Sequence, residues 1–119
     1  MDILKDFLKS GNWISTHPKG PLWYRGYAEW SEEEGPVLIA AILARHGADH
    51  IVVGHTPMLK IGIRPRFGAR LFLIDTGLYS DYYPGGQPSA LEIQNGEFHA
   101  IYLTGKKRLS SDLQPARSH

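Results

Sequence analysis

Residues 36–55, Pro-Val-Leu-Ile-Ala-Ala-Ile-Leu-Ala-Arg-His-Gly-Ala-Asp-His-Ile-Val-Val-Gly-His, decide the reading of the fold. Leu38, Ile39, Ile42 and Leu43 recur at helical spacing and predict the buried face of a helix. Ser31 to Glu34 matches an S-x-x-E capping pattern, and the regular helix is predicted to begin near Pro36. Gly47, after Arg45 and His46, predicts its end, because glycine readily takes the left-handed turn that closes a helix. From Val37 to Ala44 the segment is apolar on nearly all sides, which predicts burial against a sheet. His50 to Val53 reads as a buried, β-branched strand ending at Gly54. Helix, short turn, strand and polar loop form an α/β pattern, whose ligand sites lie at the carboxyl ends of strands. His55 stands at such an end.

Working outward, Arg70 to Asp75 predicts a second buried strand, closed by Asp75-Thr76-Gly77. Residues 56–69, with Pro57, Gly62, Pro65 and Gly68, read as a loop, and Asp81 to Pro88 as a turn-rich segment. Ser89 to Gln94 and Phe98 to Leu103 predict a hairpin around Asn95-Gly96. From Gly105 the chain is polar and basic, which predicts a domain over 1–104 and a disordered tail over 105–119. Upstream, Ile3, Leu4, Phe7 and Leu8 predict a short amphipathic helix over residues 2–10. Residues 11–30 hold all three tryptophans among glycines and prolines, and read as an irregular packed or site-forming loop.

The bulk composition narrows the function classes. The 119 residues suit one domain or part of one, and 42% hydrophobic with 21% charged residues is ordinary for a soluble globular chain. A formal charge of +1 supplies no basic field to recruit nucleic acid or a membrane surface. The absence of cysteine excludes disulfides, a thiol nucleophile and cysteine-based zinc sites. No run approaches the roughly 18 apolar residues of a membrane span. Met1 to Phe7 lacks the pattern of a signal peptide, so a cytoplasmic location is the default expectation.

Two residues are candidates for chemistry. His55 follows a strand and a glycine, where an imidazole suits a divalent metal or, equally, caps the strand end by hydrogen bonds. Arg25, in Gly-Pro-Leu-Trp-Tyr-Arg-Gly, is a guanidinium among aromatic side chains. It is suited to a bidentate grip on phosphate, or to stacking on tryptophan for packing. Asp75 is read first as the cap of the turn before Gly77, and second as a partner for a histidine. His17, His46, His50 and His99 show no metal-type spacing and read as structural or solvated.

Taken together, the ordered segments resemble a known family. They are Gly20-Pro-Leu-Trp-Tyr-Arg-Gly-Tyr-Ala28, an apolar helix, Ile51-Val-Val-Gly-His-Thr-Pro57, Arg66-Phe-Gly-Ala-Arg-Leu-Phe-Leu-Ile-Asp-Thr-Gly77, and Pro88-Ser-Ala-Leu-Glu-Ile93. The order resembles the calcineurin-like metallophosphoesterases, specifically the bacterial branch related to the phosphoprotein phosphatases that includes the Shewanella-like phosphatases. The resemblance covers about residues 20–103. It implies a β-sandwich flanked by helices, of which this chain carries the C-terminal half only. It implies a centre of two metals, manganese, iron or zinc, and a phosphoester or phosphoprotein substrate, with serine/threonine phosphoproteins included. On this pattern His55 is a metal ligand and Arg25 a substrate-phosphate residue. Gly54 and Thr56 shape the ligand loop, and Asp75 and Gly77 buttress it.

The departures from the family are equally specific. Its D-x-H, G-D-x-x-D-R-G, G-N-H-E and H-G-G motifs do not occur in this sequence. One histidine does not make a dimetal centre, since catalytic zinc alone usually takes three protein ligands. The resemblance therefore implies a phosphoric ester hydrolase fragment, inactive by itself, with a sheet face open to self-association. The alternative is a non-catalytic interaction domain on the same scaffold, with the aromatic segment 13–30 as its surface.

Overall fold

The longest helix, Gly35–His46, starts beside Pro36 as its sequence predicts, and Ser31 lies in the turn that leads into it. The Glu34 amide donates to the Ser31 hydroxyl oxygen at 3.0 Å, and the Gly35 amide donates to the Ser31 carbonyl at 2.9 Å. Pro36 sits in the first turn, where its missing amide is not needed. At the far end Gly47 adopts a left-handed φ of 59°, and the Ala48 amide closes on the Leu43 carbonyl at 3.0 Å.

The computed structural model describes residues 3–9 and 13–109. In chain order it contains α1 (Ile3–Leu8), α2 (Gly26–Glu29), α3 (Gly35–His46), β1 (Ile51–Val53), β2 (Arg64–Arg66), β3 (Leu71–Leu73), β4 (Ser89–Gln94), β5 (Glu97–Tyr102) and β6 (Gly105–Leu109). Among the described residues the fold is thus α+β, with three short helices and two three-stranded sheets. No helix among them is long and apolar enough to cross a membrane.

The first sheet has the order β1-β3-β2, with β1 parallel and β2 antiparallel to β3. Its central strand is buried on both faces, and the twofold alternation of a strand splits its side chains between two cores. Leu71 and Leu73 pack with Ile39 and Leu43 of α3 and with Phe67, beside Tyr27 and Trp30. Phe72 points the other way, into a cluster with Ile63, Ala69, Phe98, Ala100 and Leu109. The α2 and α3 helices, the first sheet and the second sheet therefore stack in that order. Burying Ile39, which is 0% exposed, contributes about 1.5–3 kcal/mol.

The second sheet, β4-β5-β6, is wholly antiparallel. Asn95 and Gly96 turn its first hairpin with φ of 53° and 75°. Both angles are positive, as the two-residue turn predicted from Asn-Gly requires.

Four sequence expectations are corrected. The segment from Gly105 is not a disordered tail as far as Leu109, because β6 pairs with β5 along its length. Its basic residues find acidic partners there: Lys106 Nζ lies 2.5 Å from Glu92 and Arg108 3.0 Å from Glu97. Composition within the segment does not reveal such cross-strand partners. Residues 110–119 of the expected tail lie outside the described residues, as do residues 1, 2 and 10–12.

Residues 56–69 are not all loop, since β2 runs through Pro65. Proline is tolerated there because β2 is an edge strand and its missing amide breaks no ladder bond. Residues 26–29 form α2 within the segment read as irregular. Finally, α3 and β1 are buried on one side only. Val37 is 71% exposed, Leu38 39% and Val52 43%, because among the described residues nothing packs on that side.

Candidate functional site

The carboxyl end of β1 and the start of α2 meet at one cavity. The chain leaves β1 at Val53, passes Gly54, and puts His55 into the left-handed region at φ 67°. For a residue with a Cβ that conformation costs on the order of 1–2 kcal/mol. Space around the Gly54 α-carbon is open, so this turn leaves room beside the imidazole.

Arg25 is the residue that begins α2, with φ −110° and ψ −1°. Trp23 stands between the two candidates. Its indole meets the His55 ring edge-on at 5.3 Å between centroids, and the Arg25 guanidinium carbon lies 5.5 Å from the same indole. The two residues singled out from the sequence line one cavity of about 290 Å³, with Pro21, Leu22, Tyr24 and Val53 in its walls. Arg25 makes no ion pair among the described residues, so its guanidinium is available to an anion. Tyr24 and Arg25 also border a second cavity of about 540 Å³, with Trp23, Trp30, Glu29 and Glu34.

The aromatic wall is built by edge contacts. Tyr24, Tyr27 and Trp30 lie 5.2–6.0 Å apart in pairs, at interplanar angles of 68–87°. Burial raises the Tyr24 phenol above its ordinary range, the neighbouring Tyr27 adds to this, and a hydrogen bond with Trp30 opposes it. Tyr24 is therefore a neutral hydroxyl at neutral pH, able to donate to an anion beside Arg25.

Asp75 takes the turn-capping role. Its Oδ1 accepts the Gly77 amide at 3.0 Å, while its carbonyl accepts the Met58 amide at 2.7 Å. Gly77 has φ 68°, and Thr76 is buried with its hydroxyl donating to the Gln87 carbonyl at 2.7 Å. Asp75, Gly77 and Thr56 do not line the cavity that holds His55 and Arg25. His50 is structural: its Nδ1 lies 2.8 Å from the Ala69 carbonyl, and its ring packs on Phe98 at 4.6 Å.

Among the described residues, no group of three or more His, Cys, Asp or Glu is placed to hold a metal. His55 offers a single imidazole, and that donor set does not fit a metal ion by itself.

Sequence reading missed the share that Tyr24, Tyr27 and Val53 take in the cavity. The signal was present in the aromatic flanks of Arg25, but the meeting of residues 21–27 with 53–55 is a tertiary contact.

The chain is 39% identical over 83 residues to an uncharacterized protein of Schizosaccharomyces pombe. The match takes in 70% of this chain but only 24% of that protein, so the chain spans about a quarter of the relative's length. No protein-family profile matches the chain. No solved structure matches it either.

Proposed function

We propose that this chain is the carboxy-terminal part of a calcineurin-like metallophosphoesterase of the phosphoprotein-phosphatase-related, bacterial Shewanella-like type. In this reading it supplies the phosphate-recognising side of the centre. Arg25 grips a phosphoryl oxygen pair, Tyr24 donates a further hydrogen bond, and His55 offers one nitrogen to a divalent metal of the manganese, iron or zinc class. Such metals polarise the phosphoryl group in this chemistry. The chain's own donors do not hold one, so it is inactive alone. The observation that carries the reading is the shared cavity of Arg25 and His55, two residues 30 positions apart in a sequence whose order of segments resembles the family's.

The experiment is a titration of the chain with inorganic phosphate, alone and with manganese, beside Arg25→Ala and His55→Ala. Phosphate binding that is lost in Arg25→Ala and is not tightened by manganese supports the reading. Phosphate affinity that is the same in all three proteins refutes it. Hydrolysis of an aryl phosphate by the parent chain with manganese, absent in His55→Ala, refutes the inactivity.

A second reading, an interaction domain, draws support from the exposure of Trp13 at 55% and Trp23 at 48% in one segment. Solvent-exposed aromatics of this size are typical anchors of protein interfaces.

A further inference from the structure

We infer that Arg66 is the positioning residue of the Arg25–His55 cavity, placing Arg25 by holding the far end of the helix that Arg25 begins. Its functional meaning rests on the phosphate reading above; its geometry does not. The α2 helix has four residues, too few to be stable alone, and its last carbonyls have no partners within the helix. Arg66 supplies them. Its Nη1 donates to the carbonyls of Tyr27 at 2.9 Å and Ala28 at 3.0 Å. Its Nη2 donates to the carbonyl of Trp30 at 2.6 Å and to Glu32 Oε1 at 2.7 Å.

The guanidinium is well suited to this place. Its side chain is 5% exposed, so these acceptors replace water around a permanent charge. A positive charge also complements the carbonyl end of a helix. Its carbon lies 4.3 Å from the centroid of the Phe67 ring, which fixes the fork from a second side.

The connection to His55 runs through the sheet. Arg66 lies on β2, β2 pairs with β3, and β3 pairs with β1, which ends two residues before His55. One series of bonds therefore runs from Arg25 through α2 and Arg66 to His55. Lysine at position 66 keeps the charge but offers donors from one point, and does not span four acceptors. With the fork removed, α2 is free to shift and Trp23 leaves His55. A displacement near 1 Å at a binding constellation costs up to about a hundredfold.

The experiment compares the full chain with Arg66→Lys and Glu32→Ala by nuclear magnetic resonance. It reads the cross-peaks between the Trp23 indole and the His55 ring, the methyl signals of Leu71 and Leu73, and the Arg25 Nε–H shift on adding inorganic phosphate. In Arg66→Lys the Trp23–His55 cross-peaks are expected to vanish while the leucine methyl signals stay in place. Phosphate binding should weaken about tenfold or more. Glu32→Ala, which removes one exposed acceptor of the same fork, should weaken the cross-peaks in part. Cross-peaks retained in Arg66→Lys overturn the inference. So does an Arg66→Lys chain that fails to fold beside a Glu32→Ala chain with unaltered cross-peaks, since Arg66 then serves stability alone. A parent chain without a phosphate shift at Arg25 overturns the phosphate reading, and the cross-peaks still decide the role of Arg66.

Discussion

Phe72 of β3 and Phe98 of β5 lie with ring centroids 4.7 Å apart and planes tilted by 31°. Phe72 is 0% exposed and Phe98 6%. The pair joins the two sheets, and the His50 ring seals it from one side. The fold above this contact carries the candidate site, so the site depends on it.

Replacing Phe98 with alanine should remove about 3–5 kcal/mol of stability. That is a large share of the 5–15 kcal/mol typical of a native domain. Urea unfolding followed by tryptophan fluorescence measures it. Trp30 packs on the helical side of the first sheet, so its share of the transition reports whether the two layers unfold as one. A midpoint close to the parent's would show that the sheets do not depend on the Phe72–Phe98 contact.

Gly35 opens α3 directly against the Phe67 ring, where an added Cβ would overlap the aromatic carbons. The buried ring cannot retreat without disturbing Arg66, which lies over it. Alanine at position 35 should therefore destabilise the chain by about 1–3 kcal/mol, although alanine is the better helix former. A thermal melt equal to or above the parent's would contradict this.

Glu92 is held below the ordinary glutamate range, first by its hydrogen bond to Lys106, then by the charges of Lys106 and His99, against some desolvation. A carboxylate with a lowered folded pKa contributes stability above its unfolded pKa. That contribution is lost as the pH falls through the lower, folded value. Acidification through and below the ordinary glutamate range should thus weaken the hairpin β4–β5–β6 in the parent. Lys106→Ala should flatten the dependence over the same window. Melting temperatures against pH for the two proteins check this, and parallel curves would exclude the coupling.

The Tyr24 phenol is raised first by burial and then by Tyr27. An ultraviolet difference titration should show a component ionising above the ordinary tyrosine range, and Tyr24→Phe should delete that component. In Tyr27→Phe the late component should move back toward the ordinary range, since one of its two causes is gone. A parent titration with no late component would remove the basis for treating Tyr24 as a neutral donor beside Arg25.

Much of this molecule was legible before folding. The start of α3 beside Pro36, its end at Gly47, the strand at Leu71 and the Asn95-Gly96 turn each follow from local rules acting within a few residues. His55 could be singled out because a glycine after an apolar strand marks the end of that strand. Arg25 could be singled out because aromatic residues flank it on both sides.

What local rules do not carry is partnership across the chain. Pro65 argued against a strand, yet β2 forms because its position at the sheet edge spares the missing amide. The basic run at Lys106 argued for disorder, yet Glu92 and Glu97 stand opposite it. Nothing beside Arg66 in the sequence marks its role, because its four acceptors lie 34 to 39 residues away. The sequence by itself determined α3, the central strand at Leu71 and the β4–β5 hairpin turn, through backbone conformations and caps settled by near neighbours. Only the tertiary structure decided that Arg25 and His55 share a cavity, because that depends on hydrogen bonds and packing between segments with no contact along the chain.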